Sequence, residues 1–397
     1  MLDQSISRRR ILSYGSAGVG AAVLTACGTP KTVTPTQPST QTPRPPQHVM
    51  GDSTLLRIFA CSGFLDRTDR VTTGIQRLQS CGFQVSNTEA AYRRFQRFAG
   101  SDGQRIQDLQ AVATGQVATP KILLGARGGY GAIRLLPHIN WDGLGGRMRE
   151  QGTLLMGYSD ICAIQLALLA QTGVPSIAGP MLYSEFGSPS PSPYTMQNFI
   201  DTTTKSQNTI YVGQIQAHNL NVSGKFWGGN LSVLQSLAGT PYMPNIEGGI
   251  LFLEDVNEQP YRIERALQTL HLAGVLKKQQ AIVLGDFRMG NIRDSYDASY
   301  NLSSVVHTIQ NTTGVPVLTG FPFGHITNKV TMPLGAQAHL QSTSNGGYQV
   351  TFSHYPMLDA NRLNLSSLLP PPEPVFDTLN SVFGTPSNQD AQIIEAE

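Results

Sequence analysis

The chain has 397 residues, 40% of them hydrophobic, and a formal net charge of +2. That length carries two ordinary domains, each with a core of its own. The near-neutral balance, with no basic stripe and no charge run, gives no basis for a nucleic-acid partner, and no uninterrupted apolar span is long enough for an internal membrane helix.

The chain opens on an export pattern. Ser7-Arg8-Arg9-Arg10-Ile11-Leu12 resembles the twin-arginine signal, with Ile11 in place of the usual Phe. A weakly apolar stretch rich in Gly and Ala follows and ends in Leu24-Thr25-Ala26-Cys27, which resembles a bacterial lipobox. Residues 1–27 are therefore expected to be a lipoprotein signal peptide, cut before Cys27, whose thiol and new amine are then acylated. An uncleaved anchor and an ordinary signal peptide are the alternatives. Gly28, rather than Asp, after the cysteine favours outer-membrane sorting in a cell that has an outer membrane. Residues 28–52, rich in Pro, Thr and Gln, cannot bury a core and read as an extended tether to a domain on the periplasmic side.

From about Thr54 strands alternate with helices. LLRIFACS reads as a strand, DRVTTGIQRLQSCG as a helix closed by Gly82, FQVSN as a strand and RIQDLQAVATG as a helix. KILLGA is a third strand, followed by the Gly-rich GARGGYG and the amphipathic AIRLLPHI. TLLMGY, the helix from Ile161 to Gly173, and the strand VPSIAGP complete the series. This alternation predicts parallel βαβ units, a Rossmann- or flavodoxin-like sheet over residues 53–190, with functional groups outside the strands' carboxyl ends. Residues 191–224 break the rhythm and read as an interdomain connection. KFWGGN then opens a smaller α/β domain, 225–358. Its elements are the strand GGILFLEDV, the helix YRIERALQTLHLAG, the strand QQAIVLGDF, the helix LSSVVHTIQNTTG and the strand VPVLTGFPFG. The short strands KVTMPLG, AQAHLQS and YQVTFSHY are expected to supply an antiparallel portion. Residues 359–397, polar and Pro-rich, read as a poorly ordered tail.

Several positions could carry chemistry. Cys61, Cys81 and Cys162 match no zinc spacing and read as small buried hydrophobes, with one disulfide left open. No metal or cofactor motif is present: there is no His-Glu-x-x-His, no G-x-x-x-x-G-K-[ST] and no G-x-G-x-x-G. Ser159 follows a strand and opens a helix, so its hydroxyl can act as a nucleophile beside the unpaired backbone N–H of Asp160; equally, Ser159 or Asp160 can cap that helix. Met156-Gly157-Tyr158-Ser159-Asp160-Ile161 approaches the nucleophile elbow without matching G-x-S-x-G. The loop Gly125-Ala126-Arg127-Gly128-Gly129-Tyr130-Gly131 fits an anion or oxyanion site, or a tight turn. Glu254-Asp255 and His325 each close an apolar strand, whereas His138, His271 and His307 sit in or beside helices. Serine, acid and base, each at a strand's carboxyl end, make a workable Ser-Glu-His triad.

These segments together resemble the LD-carboxypeptidases, a family of serine peptidases. The resemblance rests on GGYGAIRLLPHINWDGL, GYSDICAI, WGGNL, GTPYMP, GGILFLEDVNEQPYRIERAL, AIVLGDF, YNLSSVV and GFPFGHITNKVTMPLGA, collinear from about Leu55 to Met357. It implies Ser159 as nucleophile, His325 as general base, Glu254 as the acid that orients the histidine, and an oxyanion hole from the amides of Gly129 and Asp160, with Gly128 and Tyr130 beside the substrate. Ala60-Cys61-Ser62-Gly63 departs from the family's usual Ala-Pro-Ser-Gly.

The resemblance further implies a metal-free and cofactor-free hydrolase that removes terminal D-Ala from peptidoglycan tetrapeptides. Its partners are then muropeptides and, through the lipid anchor, a membrane; cleavage of LD bonds inside cross-linked stems and homodimerisation are left open. Two other readings stand beside it: an amidase of the microcin-immunity kind, and a non-catalytic muropeptide-binding lipoprotein.

Overall fold

A computed structural model describes residues 51–214 and 218–371. The export signal, Cys27 and nearly all of the tether lie outside the described residues. In chain order the strands are β1 (Leu55–Phe59), β2 (Gln84–Ser86), β3 (Ile122–Gly125), β4 (Leu154–Gly157), β5 (Ser176–Ala178), β6 (Gln207–Val212), β7 (Asn221–Asn230), β8 (Ile250–Glu254), β9 (Ala281–Leu284), β10 (Val317–Leu318), β11 (Met332–Leu334), β12 (Ala336–Ser342) and β13 (Tyr348–Ser353). The helices are α1 (Thr68–Ser80), α2 (Asp102–Ala113), α3 (Trp141–Gln151), α4 (Cys162–Thr172), α5 (Pro193–Thr204), α6 (Leu231–Ser236), α7 (Pro260–Leu272) and α8 (Leu302–Thr313).

They build two sheets. The first runs β11-β5-β4-β3-β1-β2, parallel except for β11. The order 2-1-3-4-5 is the flavodoxin-like one of the two doubly wound patterns. The second runs β10-β9-β8-β7-β12-β13-β6, with four parallel strands followed by antiparallel ones. The expected α/β architecture, a parallel sheet followed by a mixed one, is thus present.

Period-two alternation sorts the first sheet's side chains onto two faces. Leu123 and Leu155 join one core with Leu109, Val112, Leu144 and Met148 of α2 and α3. Ile122, Leu124, Leu154 and Met156 join the other, against Val71, Ile75 and Leu78 of α1 and Phe199 of α5. Helix α4 is buried from Cys162 to Leu169, apolar there except for Gln165, whose Nε2 donates to the carbonyls of Gly157 and Ile177. Such a helix needs cover on every side. It has it: Ile164, Leu166 and Leu168 share one continuous core with Phe226, Leu251 and Phe252 of the second sheet. The helix that follows Ser159 is therefore wedged between the two sheets.

Four expectations are corrected. The strand expected over VPVLTGFPFG ends at Leu318, because Gly320 (φ 78°), Pro322 and Gly324 (φ 154°) cannot continue a ladder; His325 sits seven residues further on, in a loop. KVTMPLG yields β11, which pairs with β5 of the first sheet and not with the second. As an edge strand it tolerates Pro333, which has no N–H to donate. The segment 191–224 is more than a connection: it contains α5 and the edge strand β6. Finally, the start of the polar tail is folded. Leu365 and Leu368 are buried in the core beneath α1, and Arg362 pairs with Asp52 at 3.0 Å. The leucines of LNLSSLL supply an apolar face that the neighbouring prolines obscured.

Candidate active site

Strand β4 stops at Gly157, and Ser159 opens a helical turn, Ser159–Ile161, that runs into α4. Ser159 has φ 62°, in the left-handed region. A residue with a Cβ pays about 1–2 kcal/mol to stay there, so its surroundings must hold it. The sequence makes room for the bend at Gly157, where a Cβ would stand 2.7 Å from Cγ2 of Ile161. The elbow thus keeps the first glycine of G-x-S-x-G and replaces the second with Ile161. Neither turn nor helix carries a side-chain cap. The capping alternative is therefore excluded: both side chains are engaged elsewhere. Asp160 Oδ2 accepts from Ser62 Oγ at 2.6 Å and from the Ala132 N–H at 2.9 Å, bracing the turn from below. Burial pushes the Asp160 carboxyl above its ordinary value, against the pull of those two donors.

Ser159 Oγ lies 3.0 Å from His325 Nε2, and His325 Nδ1 lies 2.8 Å from Glu254 Oε2. Glu254 is the last residue of β8 and is 1% exposed. Its other oxygen accepts from Asn230 Nδ2 at 3.2 Å, and Asn230 is its register partner at the end of β7. Asp255, next in sequence, is turned away: it accepts from the backbone and hydroxyl of Ser232 at 2.9 and 2.7 Å and from Val256 N–H at 2.9 Å. A carboxylate on Nδ1 fixes the tautomer that leaves Nε2 free to take the serine proton.

The Gly-rich loop covers Ser159. A Cβ on Gly128 would fall 2.7 Å from Ser159 Cβ and 2.9 Å from its Oγ, so only glycine lets the loop approach. Gly129, at φ 112°, follows it into the same cavity, of about 450 Å³, which Ser159 and His325 also line. A Cβ on Gly128 would also stand 3.6 Å from the Asp160 N, so the loop meets the start of the helical turn, where the first N–H groups lack intrahelical acceptors; the family resemblance assigns the oxyanion to this amide and to that of Gly129. Tyr130, between Gly129 and Gly131 (φ 129°), is half exposed and tilted against Phe98 at 6.2 Å, outside the residues that line this cavity. The substituted Ala60-Cys61-Ser62-Gly63 loop is tied in by Ser62 and by Gly63 N–H, which donates to Gly128 C=O at 3.2 Å. Cys61, Cys81 and Cys162 are free and buried, and burial pushes the Cys61 thiol up to about 12.

Sequence reasoning missed the support behind the histidine. Tyr158 packs edge-on against the His325 ring, centroids 5.3 Å apart. Its hydroxyl is 2.9 Å from Glu185 Oε1, and Lys329 Nζ reaches the same carboxylate at 2.5 Å and Tyr158 Oη at 3.2 Å. Burial and the Glu185 charge push the Tyr158 phenol well above its ordinary value. Lys329 and Glu185 are 144 positions apart; Lys329 stands in GFPFGHITNKVTMPLGA, but Glu185 lies in none of the quoted motifs, so nothing in the sequence joins them.

A hydroxyl with a base at hydrogen-bond distance, the base oriented by a buried carboxylate, and a glycine loop lining the same cavity can carry acyl transfer through a covalent ester; the protein is a serine hydrolase. More narrowly, it belongs to the LD-carboxypeptidase family. Residues 56–179 match the model of the LD-carboxypeptidase N-terminal domain and residues 223–340 that of the C-terminal domain. The chain is 30% identical to a probable murein peptide carboxypeptidase of Bacillus subtilis, over 69% of this chain and 84% of that protein. It superposes on the crystal structure of muramoyltetrapeptide carboxypeptidase from Oxalobacter formigenes with a TM-score of 0.70 and 37% identity, covering 77% of this chain and all of the other. It is also 28% identical to a microcin self-immunity protein of Escherichia coli, over 68% of this chain and 84% of that one.

Proposed function

We propose that this protein is a serine LD-carboxypeptidase that removes the terminal D-Ala from peptidoglycan tetrapeptides. The observation that carries the reading is the unbroken relay from Ser159 through His325 to Glu254, at 3.0 and 2.8 Å, opening into a cavity. Ser159 Oγ attacks the carbonyl before the terminal residue as its proton passes to His325 Nε2. Glu254 stabilises the imidazolium, and the oxyanion rests on the amides of Gly129 and Asp160, each donor worth about 3 kcal/mol. The histidine then protonates the leaving amine of D-Ala. Water, deprotonated by the same histidine, hydrolyses the ester.

Incubating the full chain with purified tetrapeptide should release free D-Ala and a tripeptide, read by mass spectrometry. Absence of turnover, with binding retained, would favour the non-catalytic muropeptide binder. Turnover only of a peptidyl-nucleotide amide would favour the microcin-immunity type. In superposition the identity to the Oxalobacter enzyme, 37%, exceeds that to the immunity protein, 22%, which supports the tetrapeptide.

We further propose that Cys27 is acylated and that residues 28–52 hold the catalytic part off the membrane on the periplasmic side. The support is the placement of the Arg pair and lipobox and the tether's composition, whose polyproline-like reach is on the order of 60 Å. Wild type should incorporate labelled fatty acid and fractionate with membranes, and Cys27→Ser should be released with its specific activity unchanged. A wild-type chain that takes no label and stays in the cytosol overturns the anchor and leaves the triad untouched.

A further inference from the structure

A second cavity, of about 360 Å³, shares Arg70, Tyr158, Ser184 and His325 with the first but contains none of Ser159, Gly128 and Gly129, and of the two Arg288 lines only this one. His325 therefore stands between the two. The second cavity's wall is polar, with Ser188, Ser190 and Ser192, and its charge is unbalanced. Lys329 and Glu185 neutralise each other in the wall. That leaves Arg70 and Arg288, and among the described residues neither guanidinium has a carboxylate within ion-pair distance.

Both arginines are nevertheless placed. Arg70 Nε and Nη2 donate to the carbonyls of Gly187 and Ser184 at 3.3 Å each. Arg288 Nη1 donates to the carbonyl of His325 itself. The Arg288 backbone sits in the left-handed region, φ 44°, with its N–H on Asp286 Oδ1 at 2.6 Å. An anchored guanidinium has five N–H donors and uses only one or two here. The rest form a fork suited to a carboxylate.

The reaction says which carboxylate. His325 must hand its proton to the leaving amine, so the leaving residue lies on the histidine's side of the scissile bond, while the acyl part stays with Ser159 and the Gly-rich loop. In a carboxypeptidase the leaving residue bears a free α-carboxylate. We propose that the second cavity is the subsite of the leaving C-terminal residue and that Arg288, assisted by Arg70, binds its α-carboxylate. This rests on the tetrapeptide carboxypeptidase reading and sharpens it. A cross-linked stem, whose terminal carboxyl is tied up as an amide, forfeits that contact, so the enzyme trims free ends in preference to cutting cross-links.

The test compares a tetrapeptide with a free C-terminal carboxylate and the same peptide as its C-terminal carboxamide, each with the full chain, with Arg288→Gln and with Arg288→Lys. Wild type should prefer the free acid by about tenfold or more in kcat/KM, as expected for a charge-assisted pair. Arg288→Gln should lose most of that preference, chiefly through KM for the free acid, so that its kcat/KM for the free acid falls by a clearly larger factor than that for the carboxamide; Arg288→Lys should fall between, because a point charge replaces the fork. If Arg288 only props up the His325 loop, both substrates fall by the same factor, and the proposal is overturned. A second measurement needs no variant: D-Ala should inhibit the wild-type enzyme competitively and D-alaninamide should not, and equal inhibition by the two also overturns it. A wild type that releases no D-Ala from the free acid instead brings down the tetrapeptide reading, and this subsite with it.

Discussion

The Oγ of Ser159 and the Nε2 of His325 lie 3.0 Å apart although 166 positions separate the two residues. The serine is fixed from the first sheet, by β4 and the strained elbow. The histidine hangs from a loop between β10 of the second sheet and β11 of the first. The bond between them exists only while the two sheets keep α4 clamped.

Replacing the nucleophile should separate catalysis from stability. Ser159→Ala should lower kcat by roughly 10⁴–10⁶-fold with peptide binding retained. Ser159→Gly should be just as inactive but more stable than Ser159→Ala by about 1 kcal/mol, because glycine relieves the positive φ. Urea unfolding of the two variants checks this, and equal stabilities would remove the strain argument.

Glu254→Gln keeps the side chain's shape and removes the charge that supports the imidazolium. It should cost about 10⁴-fold in kcat with KM little changed. Steady-state kinetics decide: a loss confined to KM would mean that Glu254 serves the substrate and not His325.

At Gly128 the prediction is steric. Gly128→Ala places a Cβ 2.7 Å from Ser159 Cβ, so the loop must retreat from the nucleophile and carry the Gly129 amide away from the oxyanion. A fall of about 10²-fold or more in kcat is expected, as for loss of one oxyanion donor. Unchanged turnover would show that the loop's approach is incidental.

The buried pair behind the histidine should behave asymmetrically. Lys329→Met strands the Glu185 charge and should cost about 3–5 kcal/mol. Adding Glu185→Gln should recover much of that loss, because no unpaired charge then remains. A denaturant series on the two single variants and the double reads this directly, and simple additivity would contradict the coupling.

Asp160 gives a pH signature. Its carboxyl titrates above the ordinary carboxylate value when folded. Between that value and its raised one the folded chain holds more protons than the unfolded chain, so this group's contribution to stability falls as pH rises and becomes a standing cost near neutrality. Asp160→Asn lacks the term. Relative to wild type, the variant should therefore be more stable at pH 7 than it is at pH 4, and the opposite order in unfolding free energies would show that the Ser62 and Ala132 donors outweigh the burial.

Much of this architecture is legible in residue patterns. The strand-to-helix join at Ser159, the apolar α4 closed by Gly173 (φ 71°) and the helix α8 closed by Gly314 follow from neighbours a few positions apart, and the triad's three members stand in recognisable family motifs. A Gly-rich loop leaves open in the sequence which of its residues faces the cavity; in the fold Gly128 and Gly129 line it, while Tyr130 packs on Phe98.

Local periodicity and turn chemistry thus decide where strands and helices begin and end, because those forces act within a few residues. Three matters lie beyond their reach. Which carboxylate of Glu254-Asp255 meets the histidine depends on the pleat and on what Asn230 and Ser232 of the neighbouring elements offer. Whether β11 completes the first sheet or the second depends on which edge is open beside β5. And the union of Lys329 with Glu185, like that of Arg288 with the His325 carbonyl, depends on loops from distant parts of the chain being buried against each other. A one-dimensional pattern holds no record of such contacts, because the energy that selects them is burial and charge pairing in the folded whole.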